Sequence, residues 1–145
     1  MSIAPKKDPS LGAFFRVEIK DIIVGGFSEC SGLHVETEFE EHREGGLNEY
    51  AHRLPKGSKY GNLTLKRGYI DSDELWNWHT NVVNGVSAQR KDISIVLTDR
   101  QGADMCRWEV RNALPIKWSV GEFKADGNAI LVETLELIHN GFSKM

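Results

Sequence analysis

Three groups of residues have the types and spacing that chemistry requires. The first is the histidines. His34, His42, His52, His79 and His139 are dispersed along the chain, and none forms the H-x-x-x-H pair that places two ligands on one helix face. His34 and His42 share strand parity but lie too far apart to hold one metal. The second group is Glu36, Glu38 and Glu40. In an extended chain these carboxylates share a face at about 7 Å per step. That spacing suits acid–base work or calcium, but no nucleophile adjoins it, so the reading is a solvated polar face. The third group lies in LKRGYIDSDELWNWHT, residues 65–80. On a helix, Trp76 and Trp78 point in different directions and cannot build one cage. Trp76 is expected in the core, His79 on the core-facing stripe, and Trp78 partly exposed or at a subunit contact. Cys30 and Cys106 have no partner at metal-ligand spacing and read as two buried thiols. Gly25-Gly26 and Gly45-Gly46 fit neither a P-loop nor a dinucleotide fingerprint. The expectation is a protein that is not an enzyme and uses no cofactor or metal.

The chain has 145 residues, enough for a single domain, 1–145. Hydrophobic residues make up 40% and charged residues 27%, the composition of an ordinary globular protein. A formal charge of −3 without a Lys/Arg stripe argues against a nucleic-acid surface. No apolar run approaches the roughly 18 residues of a membrane span. The opening MSIAPKKDPS has no apolar core, so no signal peptide is expected. Residues 1–12 read as a flexible N-terminal arm.

The elements that must position these residues are mainly strands. AFFRVEIK (13–20) alternates in part, and IIVGGFSECSG (22–32) carries a glycine bend. LHVETEFEEH (33–42) alternates cleanly. Residues 43–60 are broken by Gly45-Gly46, Pro55 and Gly57 and read as a long loop, of the kind that is functional or forms an interface. The strand 62–66 ends in a turn at Arg67-Gly68. Ser72 or Asp71 caps one helix, whose stripe is Leu75, His79 and Val82 with Trp76 and Val83 alongside. Strands at 92–99, 105–112, 115–120 and 129–139 complete a mainly β fold, a sandwich or half-barrel with one flanking α-helix.

Four strands, 33–42, 62–66, 105–112 and 115–120, pair an apolar face with a polar one. The apolar set includes Leu33, Val35, Phe39, Ile116, Trp118 and Val120. The polar set includes Glu36, Glu38, Glu40, Thr64, Lys66, Arg107, Glu109, Arg111, Lys117 and Ser119. Such a sheet packs on a core with one side and meets water with the other. Patterning leaves open whether the wetted side is an outer surface or the wall of an aqueous passage. A small β-barrel enzyme or binding domain needs convergent titratable groups in a pocket, and none is visible.

Several segments together resemble one family. FRVEI, GGFSECSGL, EHREGGLNEY, YGNLTLKRG with LWNWH, RWEVRNALPIKW and ETLELIHNGF are similar, in order, to the tail tube proteins of contractile phage tails and phage-tail-like contractile injection systems, those of the antifeeding prophage and virulence-cassette type. The resemblance implies an Hcp-like β-sandwich that forms hexameric rings stacked into a tube around a hydrophilic lumen, inside a contractile sheath. Its implied partners are itself, the sheath protein, baseplate and tube-terminator proteins, and a cargo or tape-measure protein in the lumen. It implies synthesis in the cytoplasm and assembly into a phage-tail-like particle. The polar set then becomes lumen-lining. Arg43, Glu44, Asn48, Glu49, Arg53 and Lys56 of the 43–60 loop, with Trp78, become inter-subunit or inter-ring contacts. Strand 129–139 and the helix become the outer layer. The alternative is a tube-initiator or baseplate-adaptor paralogue forming only one or two rings.

Overall fold

The computed structural model describes residues 14–22, 26–42, 52–85, 89–128 and 130–145. Nine strands and one helix follow in order: β1 (Phe14–Ile19), β2 (Phe27–Ser31), β3 (Val35–His42), β4 (His52–Tyr60), β5 (Leu63–Gly68), α1 (Glu74–Val83), β6 (Lys91–Thr98), β7 (Asp104–Val120), β8 (Val132–Ile138) and β9 (Phe142–Lys144). All ladders are antiparallel.

The centre of the fold is β7, 17 residues long. Its first half pairs with β6 and β9, and its second half pairs with β8. One sheet therefore runs β1-β6-β7-β9, and the other runs β7-β8-β5-β2. The sequence reading split β7 in two at Asn112 and Pro115. The chain instead bends there without breaking. Asn112 takes a positive φ of 54°, which a short polar side chain tolerates. Its N–H donates to Asp92 Oδ1 at 3.0 Å, and its carbonyl accepts from Arg90 Nη1 at 3.0 Å. A bulge between Pro115 and Lys117 follows. Beyond Leu114 only β8 pairs with β7 among the described residues, and an edge strand accommodates proline's missing N–H.

The two sheets bury their apolar sides against each other. Val17, Ile19, Ile93, Ile95 and Val110 of the first meet Leu63, Leu65, Leu135 and Leu137 of the second. Each such side chain contributes about 1.5–3 kcal/mol on full burial. The helix closes one side through Leu75 and Trp78. Asp73 sits at its N-cap without a side-chain bond, in place of the expected Ser72 or Asp71, and Gly85 follows its end at φ +69°.

From His52 to Tyr60 the expected loop is a strand. β4 pairs with β3 along its length, from Val35↔Tyr60 to His42↔His52, with a bulge after Glu38. The glycine and proline that argued for a loop are absorbed by that bulge, where Phe39 faces Pro55 and Glu38 faces Gly57. Residues 43–51 lie outside the described residues. The β3–β4 ribbon is a sheet of its own, outside the buried core cluster. Val35 and Phe39, expected inward, are about half exposed. Ile116 is likewise exposed, because the bulge turns it out of the core row.

The ribbon joins the body at Gly32. Its φ is +100°, and a Cβ there would lie 1.8 Å from the Asn62 carbonyl oxygen. Both backbone strain and collision oppose any side chain. Gly32→Ala is expected to cost at least about 2 kcal/mol, read as a lowered urea midpoint with unchanged m-value.

A candidate assembly surface

The sheet β7-β8-β5-β2 carries two polar rows on its outer face. In register they are Ser31–Thr64–Glu136–Lys117 and Glu29–Lys66–Thr134–Ser119. The two glutamates balance the two lysines. Lys66 Nζ stands 3.8 Å from Glu29 Oε2, and Asn62 donates to Glu136 at 3.1 Å. Thr64, Lys66, Lys117 and Ser119 of the expected polar set are thus brought together on one wall.

Arg107, Glu109 and Arg111 are not on that wall. They lie on the outer face of the other sheet, in a lattice of exposed and half-buried charges. Arg16 Nε donates to Glu18 at 2.9 Å, and its Nη1 lies 3.3 Å from Asp104. Arg107 reaches Glu18 at 3.2 Å and Glu109 at 3.4 Å. Ser94 Oγ donates to Glu109, and Arg111 donates to Ser143 at 3.3 Å. The Arg16 hydrogen bond is the main cause that holds the Glu18 carboxyl below the usual range. Partial desolvation opposes it and Arg107 reinforces it. Whatever Glu18 contributes is therefore present above its unfolded pKa and lost as pH falls through the depressed one. Beneath the lattice, Val96 stands between Arg16 and Arg107 in register and is fully buried. Glu36, Glu38 and Glu40 form a third group, exposed on the β3–β4 ribbon.

The interior holds a charged pair that the sequence reading missed. Arg67, expected in a turn, continues the core-facing parity of Leu63 and Leu65, and Glu133 continues that of Leu135 and Leu137. Both are almost wholly buried. Arg67 Nε donates to Glu133 Oε1, Trp118 Nε1 donates to Glu133 Oε2 at 2.8 Å, and Phe27 lies under the guanidinium at 5.6 Å. Arg67 Nη1 and Nη2 have no hydrogen-bond partner among the described residues. Parity was the signal that could have found them: each sits two positions from a core leucine.

The tryptophans are reversed from expectation. Trp78 is buried at 5% exposure, and its Nε1 donates to the Gln89 carbonyl at 2.9 Å. Trp78 follows Leu75 by three positions and so shares its stripe. It is not available to a neighbouring subunit. Trp76 is the exposed one, at 44%, and meets Trp118 edge-on at 4.7 Å. His139 clamps the chain: its Nε2 bonds the Gly61 carbonyl at 2.8 Å while Nδ1 accepts from Gly141 N–H at 3.0 Å. Both cysteines are free and half-buried, and burial pushes the Cys30 thiol up to about 11. Among the described residues no cluster of metal-ligating side chains forms, and no helix is long and apolar enough to cross a membrane.

Residues 12–143 match the family of the T4-like virus tail tube protein gp19. The chain belongs to this tail tube family. A search of curated proteins returns no significant match. Among solved structures, the tail tube chain is similar to a chain in the anti-feeding prophage cap, at 26% identity and a TM-score of 0.81, covering 100% of this chain and 95% of that one. A chain of the anti-feeding prophage baseplate gives 26% and 0.78, covering 100% and 97%. A chain of the sheath–tube complex of the extracellular contractile injection system PVC gives 29% and 0.77, covering 90% and 87%. Hcp1 from Flavobacterium johnsoniae, at 18% and 0.56, shares the fold. The chain is thus a structural component of a phage-tail-like contractile particle, and its family and structural neighbours are tube, cap and baseplate proteins.

Within the tail tube chain, β8 lies in the middle of its sheet between β5 and β7. It is not in an outer layer with the helix, as strand 129–139 was expected to be. Arg43, Glu44, Asn48 and Glu49 fall outside the described residues. Arg53 and Lys56 fall on β4.

Two outcomes follow for the buried groups. Glu133→Gln or Arg67→Met alone is expected to cost about 3–5 kcal/mol, because each leaves a buried charge unopposed. The double variant Arg67→Met/Glu133→Leu should recover about half of that or more, measured by urea denaturation. Cys30 should resist alkylation at pH 8 until the chain is unfolded, since only about one thiol in a thousand is then ionised.

Proposed function

We propose that the chain is the repeating subunit of an inner tube. Six copies form a ring, and rings stack around a hydrophilic lumen that is driven through a target envelope when the sheath shortens. One observation carries this reading. Among the described residues the sheet β7-β8-β5-β2 has two open edges, β2 on one side and the second half of β7 on the other. An isolated sheet with two free edges invites pairing. Pairing the β2 edge of one copy with the β7 edge of the next is a head-to-tail contact that closes into a ring, and closure removes every edge. The other sheet ends in β9, only three residues long, and among the described residues offers no comparable second edge.

The ring-closing sheet places its balanced rows on the lumen: Thr64, Lys66, Lys117 and Ser119, with Glu29, Glu136 and Thr134 between them. Alternating charge of zero sum lets cargo or a tape-measure protein pass without a strong attraction. The Arg107, Glu109 and Arg111 lattice then faces outward, toward the sheath protein. Arg43, Glu44, Asn48, Glu49, Arg53 and Lys56 contact neighbouring subunits, together with Glu36, Glu38 and Glu40 on the same ribbon. Baseplate and terminator proteins meet the two ends, and the subunits are made in the cytoplasm.

A second reading is a tube initiator or baseplate adaptor that forms one or two rings, favoured by similarity to a chain of the anti-feeding prophage baseplate. Negative-stain microscopy of the purified protein separates the two. Long hollow filaments indicate the bulk tube, and isolated rings indicate the initiator. A stable monomer at high concentration rejects both.

The wall assignment has its own check. Lys66→Cys in assembled filaments should be shielded from a large maleimide–polymer conjugate and reactive when subunits are dispersed. Arg107→Cys should react in both states. Equal reactivity at the two positions in filaments removes the lumen assignment.

A further inference from the structure

The root of the β3–β4 ribbon is two residues, His34 just ahead of β3 and Gly61 just behind β4. They are tied to each other. Gly61 N–H donates to the His34 carbonyl at 3.2 Å, and a Cβ on Gly61 would fall 2.1 Å from the His34 ring. The body holds this root through His139, directly after β8. His139 Nε2 bonds the Gly61 carbonyl at 2.8 Å, and Nδ1 accepts from the Gly141 N–H at 3.0 Å. The ring stands in an aromatic slot, 5.8 Å from Tyr60 and 6.2 Å from Phe142, which themselves meet edge-on at 5.4 Å.

These two bonds fix the protonation state of the ring. A backbone N–H only donates, and a carbonyl only accepts. Nδ1 therefore carries a lone pair and Nε2 the proton, which is neutral imidazole. A second proton would fall on Nδ1 and set N–H against N–H. The turn at 140–141 is pinned against yielding: Asn140 N–H donates to the Arg111 carbonyl, and Arg111 N–H donates to the Gly141 carbonyl, both at 2.9 Å. The ring is the part free to move, and the bond to Gly61 moves with it. The titratable and charged groups about the ring are Tyr60 at the end of β4, His34 across Gly61, and Arg111 on β7, whose Nη2 would lie 2.9 Å from a Cβ on Gly141. β9 contributes the apolar Phe142. A charged ring would thus stand near the like charge of Arg111.

We propose that His139 is an acid-sensitive latch on the root of the β3–β4 ribbon. The neutral ring holds Gly61 in place, and the doubly protonated ring releases it. The hold is complete at neutral pH and is lost as pH falls through the range in which imidazole takes up a second proton. The latch is a property of the single chain. Its consequence for assembly rests on the tube reading above, in which the ribbon contacts neighbouring copies: those contacts loosen in mild acid.

Two measurements on the full chain test the latch. NMR of 15N-labelled imidazoles should show His139 as the Nε2–H tautomer at about pH 7.5, and an Nδ1–H ring overturns the proposal. For the second, a Cys30→Ser/Cys106→Ser background carries Glu38→Cys on the ribbon and Arg100→Cys on the turn between β6 and β7, both exposed positions. The distance distribution between spin labels at these sites should be narrow at about pH 7.5 and should broaden reversibly, several-fold, at about pH 5. His139→Gln keeps an N–H donor for the Gly61 carbonyl and takes no charge, so its distribution should be the same at both pH values. His34→Gln should broaden in acid as the wild type does. A wild-type distribution indifferent to pH, acid broadening that survives in His139→Gln, or broadening that disappears in His34→Gln overturns the latch. Chain that never assembles at neutral pH overturns the tube reading alone, because both measurements are made on dispersed subunits.

Discussion

A single strand belonging to two sheets constrains everything else in this subunit. β7 is the last strand to which both halves of the fold are hydrogen-bonded. Its bend at Asn112 sets how the apolar faces meet, and so how the polar faces diverge. Two backbone clamps hold that bend, from Asp92 and Arg90 on the neighbouring segment. Without the bend the sheet would be flat and open, with no enclosed core. With it, one sheet is left with two long edges and a balanced wall, and the other becomes a charged outer surface.

The buried Arg67–Glu133 pair sits where this arrangement is most demanding, on the core side of the β7-β8-β5-β2 sheet. Burying a charge pair is weak support for stability in itself. What it adds is registry. The carboxylate receives Arg67 from β5 and Trp118 from β7, the two strands flanking β8. A one-residue slip of β8 would leave both donors unanswered in an apolar interior, and every polar row on the outer face would invert.

Much of this was legible in the residues. Strict alternation located β3, β5 and both halves of β7, and the polar sets came out on solvent-facing sides. What alternation lacks is any knowledge of which strands share a sheet. Thr64 and Arg107 look alike in sequence yet lie on faces that point away from each other, because the long-range ladders decide that. β4 was obscured because a bulge admits Pro55 and Gly57 into a strand. Trp76 and Trp78 were exchanged because the stripe of Leu75, His79 and Val82 was widened to Trp76, one position after Leu75, and not to Trp78, three positions after it. Arg67 and Glu133 were overlooked because their charge outweighed their parity.

Pro115 and the adjacent bulge also bear on selectivity. An exposed strand rim accepts almost any extended peptide, since backbone groups carry no identity. Here the rim of β7 lacks one donor at the proline and shifts phase at Ile116, so an arbitrary strand meets a mismatch within a few residues. Only a partner with a matching irregularity avoids it, and β2 has one, between Phe27 and Glu29. In the proposed ring, the imperfection of this rim would act as a lock that keeps unmatched strands from adding to it.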